Sequence, residues 1–213
     1  MRPSCACCRV PGRRPAAVRP PRSRIDAMPA PRLVLALALA ALPVHHVVAA
    51  DYVQAPGSSL AFAGKYQGET FSGIFPAFRT TVRFDPADLA GSHLSVVIPM
   101  AGATTRNPDY DGEMRGPAFF DIARFAQASY TASGFRDLGN GQYAADGTLE
   151  LRGVRKPVTL TFSWTPGPRP LLTGRATVDR LAFGVGGGDW ADTGTIPAAI
   201  AVSTRVYLQP AGR

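Results

Sequence analysis

A chain of 213 residues, 46% of them hydrophobic, is long enough to bury a substantial core, and a formal net charge of +8 suggests at first sight an anionic partner. That charge sits at the front: eight of the 23 basic residues and one of the 15 acidic residues precede residue 51, leaving 15 basic against 14 acidic residues. With no excess of cations left to neutralise phosphates, a nucleic-acid partner loses its support.

Residues 1–27, "MRPSCACCRVPGRRPAAVRPPRSRIDA", are rich in Arg and Pro and show no hydrophobic period. They are expected to be a disordered upstream extension, with a true basic tail as the alternative. From Met28 the pattern changes: Arg32 supplies a positive start, residues 33–42 are an unbroken apolar run, Pro43 breaks it, and Val48, Ala49 and Ala50 supply small residues. This is the layout of a secretory signal peptide, and the run is shorter than the roughly 20 residues that span a bilayer. The reading is a start at Met28, a leader over 28–50 cleaved after Ala50, and one periplasmic domain over 51–213. Cys5, Cys7 and Cys8 all precede Met28, so that domain has no disulfide and must be stabilised by burial. "CACC" also lacks the paired, separated ligands of a zinc site.

Beyond Asp51, period-two alternation dominates. "SLAFAGKY" puts Leu60 and Phe62 on one face, "TVRF" does so for Val82 and Phe84, and "HLSVVIPM" aligns Leu94, Val96, Ile98 and Met100. "QYAADGTLELRG", "VTLTFSW" and "AIAVSTRVYL" continue the pattern. Turn chemistry separates the segments at 85–92, 138–142, 152–157 and 165–170. The expected strands lie near 58–66, 69–84 (bent at Pro76), 92–100, 127–136, 142–152, 157–164, 171–178 and 199–208. A single short helix is expected near 117–126, with Pro117 in its first turn. Eight antiparallel strands either close into a barrel or stack as two sheets. Gly73, Gly134 and Gly147 inside strand patterns suggest bulges or tight bends, which favour closure. The fold class is therefore all-β, an eight-stranded antiparallel barrel.

Chemistry-bearing motifs are weak. In "NPDYDG", Asn107, Asp109, Asp111 and Gly112 match the start of a calcium loop, but Ala118 stands where the bidentate Glu is needed, so a solvated acidic turn is preferred. "FGVGGGDWADTG" over 183–194 lacks the Gly-Lys-Ser/Thr end and the following helix of a phosphate loop. It reads equally as a flexible loop anchored by Trp190 or as a lid over a barrel mouth. His93 is the only histidine after the leader and reads as a solvated turn residue. No catalytic residue, metal or cofactor is assigned, and binding is preferred to enzymatic activity. The aromatic residues, dense over 116–135, either pack a core or line a pocket.

Four stretches carry a resemblance: "GETFSGIFPAFRTTVRFDPADLAGSHLSVVI", "PAFFDIARFAQASYTASGF", "GQYAADGTLELRGVRKPVTLTF" and "DRLAFGVGGGDWADT". In this order, over about 60–208, they are similar to successive signatures of the YceI-like family. The resemblance implies a secreted, lipocalin-like barrel with an elongated apolar pocket for a polyisoprenoid or similar amphiphile, and no catalysis. It implies a lining drawn from Phe71, Phe75, Phe84, Phe119, Phe120, Phe162 and Phe183, with Trp190 in the covering loop. Arg180, opening "RLAFG", matches the family's Arg and is expected to meet an anionic head group such as a pyrophosphate or to form a salt bridge. Tyr110 stands before Asp111 where the family commonly has Arg. The Gly-Asp-Trp-Ala-Asp-Thr loop resembles a branch associated with membrane cytochromes. This implies a quinone as the alternative guest and a membrane cytochrome as the alternative partner.

Overall fold

The computed structural model describes residues 51–212, so the expected extension and leader lie outside the described residues. The alternating segments form ten antiparallel strands in one sheet: β1 (Asp51–Gln54), β2 (Ser59–Tyr66), β3 (Glu69–Ile74), β4 (Arg79–Arg83), β5 (His93–Pro99), β6 (Gln127–Gly139), β7 (Gln142–Leu151), β8 (Val154–Thr165), β9 (Leu171–Asp179) and β10 (Ala199–Pro210). Two pairs of these are single strand paths broken by proline. Between β1 and β2, Pro56 has no N–H to give the ladder, although the Ala55 N–H still reaches the Tyr207 carbonyl at 2.7 Å. The path from β3 to β4 bends at Pro76, as expected. Around the circumference there are thus eight strand positions. The ring closes because β10 pairs with β9 on one side and with β1 and β2 on the other. Closure gives the barrel; the two-sheet alternative is not realised.

Tight turns set the register. Gln67 and Gly68, Asn140 and Gly141, and Arg152 and Gly153 have positive φ throughout, the signature of two-residue hairpins whose twist matches the flanking strands. The third of these starts β8 at Val154, three residues earlier than the pattern suggested. β1 had no counterpart in the pattern, because Gln54 interrupts the apolar alternation with a polar residue.

The helix is displaced from its expected position. Among the described residues the single α-helix, α1, runs over Pro108–Arg115. The Asn107 side chain caps it by accepting from the Asp109 and Tyr110 N–H groups, Pro108 occupies the first turn, and Arg115 ends it. The supposed acidic turn is therefore a helix start. Residues 117–126 instead form consecutive turns: the Phe119 and Asp121 N–H groups both go to the Gly116 carbonyl, and Asp121 has φ +48°, which no α-helix continues through.

One end of the barrel is filled by rings. Phe84 lies 5.0 Å from Tyr143, 5.1 Å from Phe162, 5.1 Å from Trp164 and 5.8 Å from Phe135, measured between ring centres. Tyr52 closes on Trp164 at 5.9 Å. Leu94, Leu172 and Leu208 are buried in the same core cluster. This plug is conventional close packing.

The glycines divide into two roles. Gly134 sits where the β6–β7 register shifts, as a bulge should. Gly147 does not mark a bulge: a Cβ there would lie 2.5 Å from the Tyr130 ring and 2.5 Å from the Thr131 carbonyl, so its bare backbone makes room for that ring. Gly147→Ala should accordingly destabilise the fold by about 2 kcal/mol through overpacking. Thermal denaturation would register this as a fall in Tm of about 4–8 °C for a domain of this size, and an unchanged Tm would show that the Tyr130 ring has room to yield.

Candidate ligand-binding cavity

Above the aromatic plug the barrel is hollow. A cavity of about 430 Å³ runs from Leu172 and Val206 toward the opposite end, within the size range of small-molecule sites. Its wall is made of inward-facing strand residues, including Leu60, Phe62, Val96, Ile98, Leu149, Leu160 and Val202. Alternation along each strand puts these inside and leaves threonine, serine and charged residues outside.

The open end is covered by connecting segments. Met114 from α1, Phe119 and Phe120 from the turns that follow, and Trp190 and Ile196 from the β9–β10 connection all border the cavity. A row of rings crosses the mouth: Tyr110 contacts Tyr66 at 6.0 Å, Tyr66 contacts Trp190 at 6.5 Å, and Trp190 contacts Phe119 at 5.4 Å. Asp109 and Glu113 also border the mouth, so its rim carries two carboxylates.

Two arginines hold this cover in place. Arg180 is buried, and its five N–H groups go to five backbone carbonyls: Nε to Pro197 (3.2 Å), Nη1 to Val185 (3.1 Å) and Gly186 (2.6 Å), and Nη2 to Trp190 (2.8 Å) and Ile196 (2.7 Å). Burial lowers its pKa, but a guanidinium starts so high that it keeps its charge. Arg152, in the β7–β8 turn, donates to the carbonyls of Ala118 (3.1 Å), Phe119 (2.9 Å) and Gly184. The Gly186 N–H then joins the two covering segments by donating to the Ala118 carbonyl at 2.8 Å. The glycine-rich connection thus occupies the lid position rather than hanging as a free loop.

Asp111 fastens α1 beneath the rim. It accepts from Thr104 Oγ1 (2.6 Å), the Thr105 N–H (2.6 Å) and Thr105 Oγ1 (2.8 Å). Burial alone would push its carboxyl up. The three hydrogen bonds, with Arg115 nearby, outweigh that and hold it below the ordinary carboxylate value. Its oxygens are therefore committed to threonines rather than arranged as part of a calcium loop.

The expected site residues fall into two groups. Phe71, Phe75, Phe119, Phe120, Arg180 and Trp190 border the cavity. Phe84 and Phe162 do not, because their positions on β4 and β8 lie too far toward the closed end and place them in the plug. Phe183 is also buried away from the cavity, in a one-turn 3-10 helix under the lid. Arg180 needs a sharper correction: it faces neither a carboxylate nor a free head-group position, since carbonyls take every donor. Cavity-bordering residues that pattern reading did not single out include Tyr66, Met114 and Ile196, which occupy a strand end, a helix and the lid, and Thr80, a polar residue on an apolar face. Arg152 lay inside a recognised turn motif, and its grip on the cover had no signal in spacing.

Comparison with known proteins agrees with this architecture. A family model described as "YceI-like domain" matches residues 52–209. A UPF0312 protein of Yersinia pestis (strain Pestoides F) is 33% identical over 140 residues, covering 63% of this chain and 72% of the relative. A second, from Vibrio campbellii, is 32% identical over 116 residues, and the chain spans 61% of that relative's length. Among solved structures, BcnA of Burkholderia cenocepacia superposes with a TM-score of 0.68 at 25% identity, covering 70% of this chain and 95% of BcnA. A polyisoprenoid-binding domain from Saccharophagus degradans superposes with a TM-score of 0.60 at 17% identity, covering 77% of this chain and 100% of that domain.

The geometry of the cover yields two expectations. Arg180→Met keeps the bulk and removes the donors; stranding five carbonyls should cost about 3 kcal/mol. Amide exchange should accelerate over 185–197 more than in the strands, and equal acceleration everywhere would deny Arg180 its local role. For Asp111, a depressed folded pKa means that its contribution is complete above the unfolded value of about 3.9 and is lost as pH falls below it. Asp111→Asn should therefore flatten the acid side of a Tm-against-pH curve below about pH 4, and a curve parallel to that of the unaltered protein would contradict the assignment.

Proposed function

The chain belongs to the YceI-like domain family, and from that membership and the shape of its interior we propose that it holds one isoprenoid lipid or similar uncharged amphiphile inside the barrel. The carrying observation is a continuous apolar cavity between a ring-filled floor and a covered mouth. A Saccharophagus degradans neighbour described as polyisoprenoid-binding supports the reading. The protein acts on this guest by enclosing it, as a carrier or scavenger, with no bond made or broken. Export through the leader expected at 28–50 makes the periplasm its place of work.

Size and chemistry narrow the guest. At about 30 Å³ for each water-sized group, the cavity has room for some fourteen carbons, or about three isoprene units. Burying that many groups at roughly 0.8 kcal/mol each gives on the order of 11 kcal/mol before the costs of association. Among the described residues bordering the cavity, Arg180 is the only cation and its donors are taken, and Asp109 and Glu113 at the rim would repel a pyrophosphate head.

Organic extraction of protein purified from cells, followed by mass spectrometry, should yield a prenyl lipid; a prenylquinone has the same tail and would be told apart by its mass. Added prenols should bind more tightly with each isoprene unit up to about three, then level off as further units lie outside the wall. Val202→Trp, which fills the cavity from the wall, should abolish uptake while preserving Tm. Protein that is repeatedly empty and takes up no prenol would overturn the proposal.

A further inference from the structure

The balance of 15 basic against 14 acidic residues after residue 50 hides a local segregation. The stretches 52–68, 157–178 and 193–212 contain no aspartate or glutamate, yet they carry Lys65, Arg169, Arg175 and Arg205. They build β2, most of β8, β9 as far as Val178 and all of β10, which the sheet order sets side by side as β8, β9, β10, β2. One continuous side of the barrel thus has cations and no carboxylate of its own.

Alternation fixes where these cations point. Leu60 and Phe62, Leu172 and Gly174, and Val206 and Leu208 are buried inward, so Lys65, Arg175 and Arg205 face out, and all three are exposed. Arg175 stands opposite Thr161 of β8 and Ser203 of β10, and Arg205 stands opposite Thr173 of β9 and Ser59 of β2. The two arginines are therefore diagonal neighbours about 7–8 Å apart, within reach of one another's partners. Together with those hydroxyls they border a shallow hollow in the outer wall. Arg169 and Arg205 both rest against the Tyr207 ring, 4.3 Å and 5.9 Å from its centre. Lys65 lies further along β2 from Ser59, so the basic face extends roughly 20 Å toward the rim.

Arginines elsewhere on the outer wall are paired: Arg136 with Asp146 at 2.7 Å and Arg155 with Glu150 at 3.0 Å. Among the described residues, Lys65, Arg169, Arg175 and Arg205 make no ion pair. Gathering like charges without counter-ions works against folding, so the grouping is explained by an anionic partner rather than by the fold. A small anion would need the cations to converge on one point, and these are strung along the wall. A sugar polymer would want an open ring to stack on, but Tyr207 already has two guanidinium groups against it. The remaining side chains between the cations are threonine, serine and alanine, which leave the face flat and supply hydroxyls to phosphate oxygens.

We propose that the outer face of β8, β9, β10 and β2 docks the barrel side-on against an anionic phospholipid surface, with Lys65, Arg169, Arg175 and Arg205 meeting the lipid phosphates. Choosing a bilayer over other polyanions rests on the lipid-holding reading above, since a prenyl guest lies in a membrane before it is enclosed. The proposal adds the partner and the direction of approach. A mouth-down approach would press Asp109 and Glu113 of the rim against the same phosphates, whereas the side-on approach leaves that rim out of the contact. Each cation brought to such a surface is worth about fivefold in partitioning.

The test sediments the full chain with vesicles of about one-third phosphatidylglycerol in phosphatidylcholine. Binding should exceed that to pure phosphatidylcholine and disappear as salt rises from about 0.05 to 0.5 M. Lys65→Gln, Arg175→Gln and Arg205→Gln should each weaken it about fivefold and together about 100-fold, whereas Arg175→Lys with Arg205→Lys should retain it. Arg136→Gln, the same change of charge on the far wall, should alter it by less than about twofold. All variants share residues 1–50, so these ratios report the barrel face alone. Prenol uptake by the triple variant should match that of the unaltered protein, which separates lost docking from a folding defect. Equal binding to both vesicle types, full binding by the triple variant, or binding to soluble alginate in place of vesicles would overturn the docking proposal and leave the lipid-holding reading standing. Charge-dependent docking by a protein that takes up no prenol would do the reverse.

Discussion

A hollow core is a standing cost that the rest of this fold has to sustain. An apolar interior of about 430 Å³ that side chains leave unfilled forgoes the dispersion contacts a packed core would make, and that loss has to be borne by the surrounding fold. A helical bundle or an open sandwich would relax by sliding its layers together. A closed hydrogen-bonded ring has no such freedom, because narrowing it means breaking ladder bonds along β1–β10 or any other seam. Closure of the sheet is the constraint that keeps the interior available. It also links occupancy to stability: a guest that fills the space relieves the cost, and its affinity and the folded state rise together.

The two ends of the ring are finished with different chemistry. At one end, Phe84, Phe162, Trp164 and Tyr143 pack as a plug, and burial alone suffices because every strand already satisfies its own backbone. The other end is crossed by irregular chain, whose carbonyls have no ladder to join. Arg180 and Arg152 supply the donors those carbonyls lack. A charge buried without a counter-ion is tolerable here because five carbonyl dipoles converge on it. Since both arginines grip backbone, the side chains over the mouth remain free to face the guest.

Much of the wall was legible in the sequence, and the reason is geometric. A strand with one face on an apolar interior must alternate, whether that interior is solid or hollow, so Leu60, Val96 and Val202 announced themselves by period. The same logic could not separate Phe84 and Phe162 from Phe71 and Phe75. All four point inward, and only height along the barrel decides whether a ring joins the plug or borders the cavity. Height depends on register and shear, which are properties of the assembled sheet. β1 escaped because Gln54 breaks its alternation after only three residues. The helix was misplaced for a local reason: both Pro108 and Pro117 can begin a first turn, but only Pro108 follows a capping asparagine. The resemblance to a known family supplied the presence of a pocket; it could not supply Arg180's partners, which are carbonyls contributed by residues 185–197.

The distribution of bonds in the cover also indicates where a guest would pass. A route through the base of the lid has to separate charged hydrogen bonds at Arg180 and Arg152, each worth about 1.5–3 kcal/mol. A route between the rings at the rim parts Trp190 from Phe119 and Tyr66 from Tyr110, contacts worth about 0.5–1.5 kcal/mol apiece. The rim is therefore the weaker seam by a wide margin. Under the proposed role, an incoming prenyl chain would replace those ring contacts with its own. Arg180 keeps its charge despite burial, and three hydrogen bonds hold the Asp111 carboxyl, which anchors α1, below the ordinary carboxylate value. Under the proposed lipid-holding role, passage at the rim would depend on the apolar fit of the guest against these rings.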